Sequence, residues 1–188
     1  MLTIVSEVRR RLRHEFLRIS GRCRNIISLN RVTNHFKLKF AMHEFFMRQA
    51  LALARAAEEA GEVPVGAVVV INGAIAGQGR NSPISLADPT AHAEMLALRE
   101  AARAIANYRL EDAVLYSTLE PCAMCAGALV AARIGTLVFG ARDLRFGGVR
   151  SKFRIADSEI LNHKVDVVEG VLAFECAELL KRFFAGRR

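Results

Sequence analysis

Two short motifs, His92-Ala93-Glu94 and Pro121-Cys122-Ala123-Met124-Cys125, lie 26 residues apart and constrain this chain more than any other feature. One imidazole and two thiolates make the donor set of a zinc site whose fourth position stays open. To serve one ion, the chain must come back to the same point after a helix and a strand. Residues two apart on a regular helix point about 200° away from each other, so His92 and Glu94 can share a site only at a helix end. Asp88-Pro89-Thr90 favours a helix start there. Pro121 suits the first turn of a second helix, on which Cys122 and Cys125 share a face. The positive end of that helix favours thiolates.

The same residues imply a chemistry. Zinc lowers the pKa of water from about 15.7 towards roughly 7 to 9. Two thiolates temper its Lewis acidity, which leaves a use for a nearby proton acceptor. Glu94 is the candidate: it is expected to take a proton from water as an amine-bearing ring carbon is attacked, then to pass protons to the ring nitrogen and the departing amine. Taken singly the motifs are weak, because CxxC also serves redox chemistry or burial and HxE carries almost no information. In this order, across a helix and a strand, they point to hydrolytic deamination of a nucleobase. A structural zinc needs a fourth ligand, and Cys23, Cys176, His14, His35, His43 and His163 sit in no paired ligand spacing. Cys176 falls on an apolar helical face and reads as buried filler, Cys23 as a free thiol.

The surrounding pattern predicts a scaffold for these helices. Residues 43–60 alternate with helical period, use many Ala and Leu, and end near Gly61. Residues 65–71 and 74–78 are β-rich and joined by Asn72-Gly73, a hairpin pair. A loop over 80–90 leads to a helix over 92–106, a strand over 113–118, a helix over 122–132 and a strand over 136–140. After an irregular stretch come a strand over 165–169 and a helix over 172–184. This order implies parallel pairing with covering helices beside an antiparallel hairpin, an α/β fold with a mixed sheet between helices. Both motif helices begin where strands end, the usual place for a site in an open α/β sheet.

At 188 residues and 52% hydrophobic content the chain can bury one sizeable core. No apolar run reaches the length needed to span a bilayer, and the few cysteines suit a reducing compartment, so a soluble, cytoplasmic protein is expected. The net charge of +8 resembles a nucleic-acid signal until it is located. Residues 1–41 hold ten Arg and Lys against Glu7 and Glu15, whereas residues 42–188 hold seventeen basic and seventeen acidic residues. All the excess lies in the leader, where Val5, Val8, Leu12, Phe16 and Ile19 are spaced as one stripe of a basic amphipathic helix. Bulk charge therefore says nothing of RNA, and only local clusters count. Arg142, Arg145, Arg150, Lys152 and Arg154 fall within thirteen residues, opposed there by Asp143 alone, and Lys181, Arg182, Arg187 and Arg188 close the chain.

From residue 43 to about 184 the sequence resembles the bacterial tRNA-specific adenosine deaminases, which convert the wobble adenosine (position 34) of a tRNA anticodon to inosine. The similar stretches are His43-Glu44-Phe45-Phe46-Met47, Glu62-Val63-Pro64-Val65-Gly66-Ala67, Asp88-Pro89-Thr90-Ala91-His92-Ala93-Glu94, Asn107-Tyr108-Arg109-Leu110, Thr118-Leu119-Glu120-Pro121-Cys122-Ala123-Met124-Cys125-Ala126-Gly127-Ala128 and Arg133-Ile134 with Val138-Phe139-Gly140-Ala141-Arg142-Asp143. The resemblance implies a cytidine-deaminase-like three-layer α/β/α sandwich with a mixed five-stranded sheet. It implies one zinc per subunit at His92, Cys122 and Cys125, with Glu94 as proton shuttle. Asn81 matches a base-contacting asparagine, although a turn role before Ser82-Pro83 is an equal alternative. Asp143 matches a position near the flipped nucleotide. A homodimer is implied, with the partner helping to build the RNA surface. An anticodon stem-loop suits such a pocket, because loop bases cost less to extrude than paired ones. Backbone contacts would come from Arg142, Arg145, Arg150, Lys152, Arg154 and the C-terminal basic residues, so binding should weaken as salt rises. Leu144, Phe146 and Arg150 depart from the family's small residues after the Asp, so the RNA-facing loop is expected to differ in shape.

Two rivals stand beside this reading. A guanine, cytosine or nucleoside deaminase would share HAE and PCxxC. A zinc-stabilised RNA-binding protein without catalysis would not need Glu94. Residues 1–41 lie outside the resemblance, and Met42 stands where family members commonly begin. The expectation is a deaminase domain over 42–188 preceded by a poorly ordered extension from an upstream start, with an Arg-rich transit peptide or an RNA-contacting arm as alternatives.

Overall fold

The computed structural model describes residues 26–187, and the side chains of 38–187. The chain divides into two units, Met1–Ala41 and Met42–Arg188. The leader stripe from Val5 to Ile19, and the expectation of poor order over residues 1–25, lie outside the described residues. Residues 26–41 are helical and open α1 (Ile26–Glu59). That helix begins well before the expected residue 43, because no Gly or Pro between Ile26 and Glu59 interrupts it.

The second unit carries the sheet. Strands β1 (Gly66–Ile71) and β2 (Ala74–Arg80) form the expected hairpin. Asn72 and Gly73 both take positive φ there, 52° and 77°, as a tight right-twisted turn requires. The predicted loop over 80–90 contains a one-turn helix, α2 (Pro83–Leu86), with Pro83 in its first turn. Then follow α3 (Ala93–Ala104), β3 (Val114–Leu119), α4 (Ala123–Ala131), β4 (Thr136–Ala141), β5 (Asp166–Glu169) and α5 (Ala173–Ala185). The strand order is β2-β1-β3-β4-β5. Strand β1 is antiparallel to both β2 and β3, whereas β3, β4 and β5 are parallel. The β2-α3-β3 crossover thus returns the chain in the same direction, but one strand over.

Side chains alternate across the sheet with the period of two that strands impose. Ala67, Val69, Leu115, Leu137 and Phe139 pack with Ala93, Ala97, Ala101, Ala126 and Leu129 of α3 and α4. Val68, Val70, Tyr116 and Val138 pack on the other face with Phe46, Met47, Ala50 and Ala54 of α1 and with Cys176 and Leu179 of α5. The result is the expected three-layer sandwich. Cys176 is buried, as its apolar surroundings foretold, and burial pushes its thiol up to about 12.

Helix α3 lies unusually close to β2. Its alanine stripe, Ala93, Ala97 and Ala101, rests on a strand that offers no side chains at Gly77 and Gly79. A Cβ added at Gly79 would stand 2.1 Å from the Ala93 carbonyl oxygen, and one at Gly77 2.3 Å from that of Ala97. Backbone contact with backbone fixes the height of α3 above the sheet, and therefore the place of His92, one residue before Ala93.

Candidate metal centre

His92 and Cys122 occupy equivalent positions. Each is the N-cap of its helix, with extended backbone: φ −70° and ψ 151° at His92 before α3, φ −68° and ψ 175° at Cys122 before α4. Cys125 follows one turn into α4. The spacing had suggested Pro121 inside the first helical turn; it stands one residue before the cap instead. The reason is pairing with the loop that follows β4: the Pro121 carbonyl accepts the Gly148 N–H at 2.8 Å, and Cys122 forms a β-bridge with Gly147. Asp88 likewise closes the turn before α3 rather than capping it, accepting the N–H and O–H of Thr90 at 2.8 and 2.7 Å.

The three donors form a triangle of definite size. His92 Nδ1 lies 3.7 Å from Cys122 Sγ and 3.5 Å from Cys125 Sγ, and the two sulfurs are 3.8 Å apart. A tetrahedral zinc with Zn–S near 2.3 Å and Zn–N near 2.05 Å requires about 3.8 Å between sulfurs and about 3.6 Å from sulfur to nitrogen. The residues fit the ion without rearrangement. Among the described residues, no fourth Cys, His or carboxylate joins this group.

The electrostatics suit a cation. The hydrogen bond between the two sulfurs, assisted by His92, pulls the Cys122 thiol down to about 4 against the cost of burial. The same bond, together with burial, pushes the Cys125 thiol up. Hydrogen bonding to Cys122 raises His92, which burial opposes. Glu94 is buried beside the triangle, in contact with Cys125, and burial pushes its carboxyl up to about 7. A divalent cation would act in the opposite direction.

Comparison with known proteins gives the same site a lineage. Residues 41–141 match the model of the cytidine and deoxycytidylate deaminase zinc-binding region. The tRNA-specific adenosine deaminase of Haemophilus influenzae is 50% identical over 153 residues, 81% of this chain and 88% of that protein. Its Bacillus subtilis counterpart is 47% identical over 141 residues, 75% of this chain and 88% of the other. The chain belongs to the tRNA-specific adenosine deaminase family. A solved structure from studies of A-to-I editing by tRNA:A34 deaminases at the wobble position superposes with a TM-score of 0.70 at 44% identity, covering 72% of this chain and 99% of that one. The guanine deaminase of Nitrosomonas europaea superposes with 0.67 at 26% identity, covering 76% and 84%.

Within this deaminase scaffold the other candidate residues fall in different settings. Asn81 is 8% exposed; its N–H donates to the Val65 carbonyl, and its side-chain amide has no hydrogen-bond partner among the described residues. The turn it was alternatively expected to close is bonded by Ser82, whose O–H donates to the Arg80 carbonyl. Among the described residues Asp143 pairs with no cation; its carboxylate accepts the N–H groups of Arg145 and Phe146 at 2.9 and 3.1 Å.

The basic cluster is partly neutralised. Arg142 pairs with Glu169 at 2.8 Å, and Arg150 and Arg154 both pair with Asp157 at 2.6 Å. Arg145 and Lys152 form no ion pair among the described residues. At the C-terminus Lys181 pairs with Glu178 and Arg182 with Glu58, Arg187 covers the Phe183 ring, and Arg188 lies outside the described residues.

Sequence reasoning assigned no role to Glu120. It is 1% exposed, two residues before Cys122, and it collects one loop: its Oε1 accepts the N–H groups of Val149, Arg150 and Ser151 at 3.2, 2.6 and 2.8 Å. Its Oε2 accepts the Asp143 N–H at 3.0 Å and the Ser151 O–H. Burial opposes its charge, but these donors prevail and hold the carboxyl below its usual range. Glu62 does similar work elsewhere, accepting the N–H and O–H of Ser85 in α2 at 2.7 and 2.9 Å. The available signal was a carboxylate at the end of an apolar strand, where only a full set of donors makes burial tolerable.

Proposed function

We propose that this chain deaminates the wobble adenosine of a tRNA anticodon, replacing the C6 amine with a carbonyl oxygen from water and releasing ammonia to leave inosine. The carrying observation is a His-Cys-Cys triangle of tetrahedral size beside a buried carboxylate. Zinc, when bound by His92, Cys122 and Cys125, supplies acidity to a water molecule. Glu94, shielded from bulk solvent, accepts a proton from the attacking water and delivers protons to the ring nitrogen and the departing amine. The unpartnered Asn81 amide supports its assignment to a purine edge, since it can donate and accept there. Asp143, occupied by its own loop, is assigned to shaping the pocket rim.

Residues 42–188 are the deaminase domain in this reading. The anticodon stem-loop is the substrate because an unpaired loop base is cheap to extrude. Two copies are proposed to associate, which an apolar groove between α3 and α4, with Leu98, Tyr108 and Leu110 in its wall, supports. No helix among the described residues is long and apolar enough to cross a membrane. Two thiols that must stay reduced and a tRNA substrate support a cytoplasmic location.

The test is incubation of the purified protein with tRNA transcripts, then reverse transcription to locate A-to-G changes. Conversion at the wobble position is expected, with free guanine and cytosine unchanged. Turnover of a free base without any conversion of RNA would transfer the chain to the rival deaminases.

A further inference from the structure

The loop after β4 carries two large apolar side chains in solvent, Leu144 at 72% and Phe146 at 63% exposure. Single exposed apolar residues are ordinary on a surface. Phe146 differs because its backbone is clamped. Its N–H is bound by the Asp143 carboxylate, and the next residue, Gly147, donates its N–H to the Asp143 carbonyl at 3.0 Å while bridging to Cys122. Asp143 is tied in turn to Glu120. Gly147 sits so close that an added Cβ would lie 2.4 Å from the Glu120 carboxyl carbon. The ring is therefore displayed one residue from the backbone that bridges to a metal ligand.

Arg145 completes the arrangement. Its guanidinium lies 5.4 Å from the centroid of the Phe146 ring, a cation–π distance, and covers one face of it. It forms no ion pair among the described residues, whereas Arg142, Arg150 and Arg154 are all ion-paired, the last two to the same Asp157. An exposed ring with a free cation beside it, one residue from the backbone that bridges to Cys122, has the chemistry that grips unpaired nucleotides: a π face for stacking and a charge for a phosphate.

We propose that Arg145 and Phe146 form a stacking platform for the unpaired nucleobase that flanks the deaminated adenosine. This rests on the reading of the chain as a tRNA adenosine deaminase. The platform is tolerant of base identity, because every base offers a π face, and it acts on substrate capture rather than on the proton transfers.

The test measures steady-state kinetics on anticodon stem-loop RNAs, intact or made abasic at one flanking position at a time. Phe146→Ala and Phe146→Leu should raise KM by between about 5- and 150-fold on intact RNA, far more than they lower kcat, whereas Phe146→Tyr keeps the ring and should match the unaltered protein. Arg145→Gln should raise KM in the same direction. With one flanking base removed, the gap between Phe146→Ala and the unaltered protein should collapse. An equal KM for Phe146→Ala, recovery by Leu as well as by Tyr, or a penalty that persists on both abasic RNAs overturns the platform. Sedimentation showing that Phe146→Ala dissociates an assembled protein would assign the ring to a second copy of the chain and also overturn it. If the unaltered protein converts adenosine in no stem-loop, the proposed function falls and the platform with it; conversion with an unchanged Phe146→Ala KM removes the platform alone.

Discussion

Replacing Gly79 by Ala adds one methyl group far from any reacting atom, yet it should disable the site. The new Cβ would stand 2.1 Å from the Ala93 carbonyl oxygen and 2.8 Å from the Ala97 nitrogen, both backbone atoms that cannot rotate away. Ordinary contact begins at 3.4 Å, so α3 must lift from β2 by about 1.3 Å. Overpacking of this kind costs about 1–3 kcal/mol, a fall in Tm of roughly 3–10 °C for a domain of this size. Catalysis suffers as well, because His92 and Glu94 flank Ala93 and move with it, and a displacement near 1 Å lowers rates by about 100-fold. Gly73→Ala is the matched control: its φ of 77° makes Ala strained, but nothing lies within 4 Å of the added atom and the hairpin turn is remote from the zinc ligands. Thermal melts, zinc content by plasma emission and single-turnover rates should show both variants folded, with only Gly79→Ala losing rate and metal. A folded Gly79→Ala protein with full zinc and a rate within two-fold of the unaltered one would refute the claim that backbone contact with β2 sets the site.

Glu94→Ala should keep its zinc while turnover falls by about 100-fold or more, whereas Cys122→Ala and Cys125→Ala should lose the metal; metal analysis beside a deamination assay separates the two classes. Glu120→Gln keeps an acceptor for the three N–H groups on Oε1 but turns an amide donor towards the Asp143 N–H; a loss of about 2–4 kcal/mol in urea unfolding and faster amide exchange over residues 143–151 are expected. Unchanged exchange there would mean the loop does not depend on this carboxylate. Asp157 is held below the usual carboxylate range, first by its bond to Arg154 and then by Arg150, with burial opposing. Its contribution, roughly 1–3 kcal/mol, is present above the unfolded pKa of about 3.9 and fades as pH falls through the lower folded value. The stability gap between the unaltered protein and Asp157→Asn, measured by urea titration from pH 7 downward, should therefore close only below about pH 4; a gap that closes already at pH 6 contradicts the assignment.

What the sequence disclosed follows from how local each signal is. Metal coordination dictates ligand type and spacing, so His92, Cys122 and Cys125 were legible as a set, and the 200° argument placed His92 at a helix start, where it serves as the cap. Asn72-Gly73 marked the hairpin, and β-rich runs marked its strands to within one or two positions. Less local features escaped. Whether β3 would pair beside β2 or across β1 depends on the whole sheet, not on the crossover. The partners of Arg142, Arg150 and Arg154 come from 27, 7 and 3 residues further along, beyond the window in which the cluster looked unopposed. Glu120 was visible as a residue but not as a hub, because its donors belong to a loop of irregular sequence. The turn of helix at α2 was hidden inside a polar, proline-containing stretch.

Neutralisation of the arginine cluster bears on how the protein would let go of its substrate. Each phosphate contact with single-stranded RNA releases condensed counterions and steepens the dependence of log affinity on log salt by about 0.7. Five free cations would give a slope near −3.5, but the three charges left over, those of Arg145, Lys152 and one of the two arginines that share Asp157, would give about −2.1. If the chain acts on an anticodon loop as proposed, this shallower slope would suit recognition by contour and stacking as well as by charge, and release of the edited product without having to break the ionic hold of the full cluster.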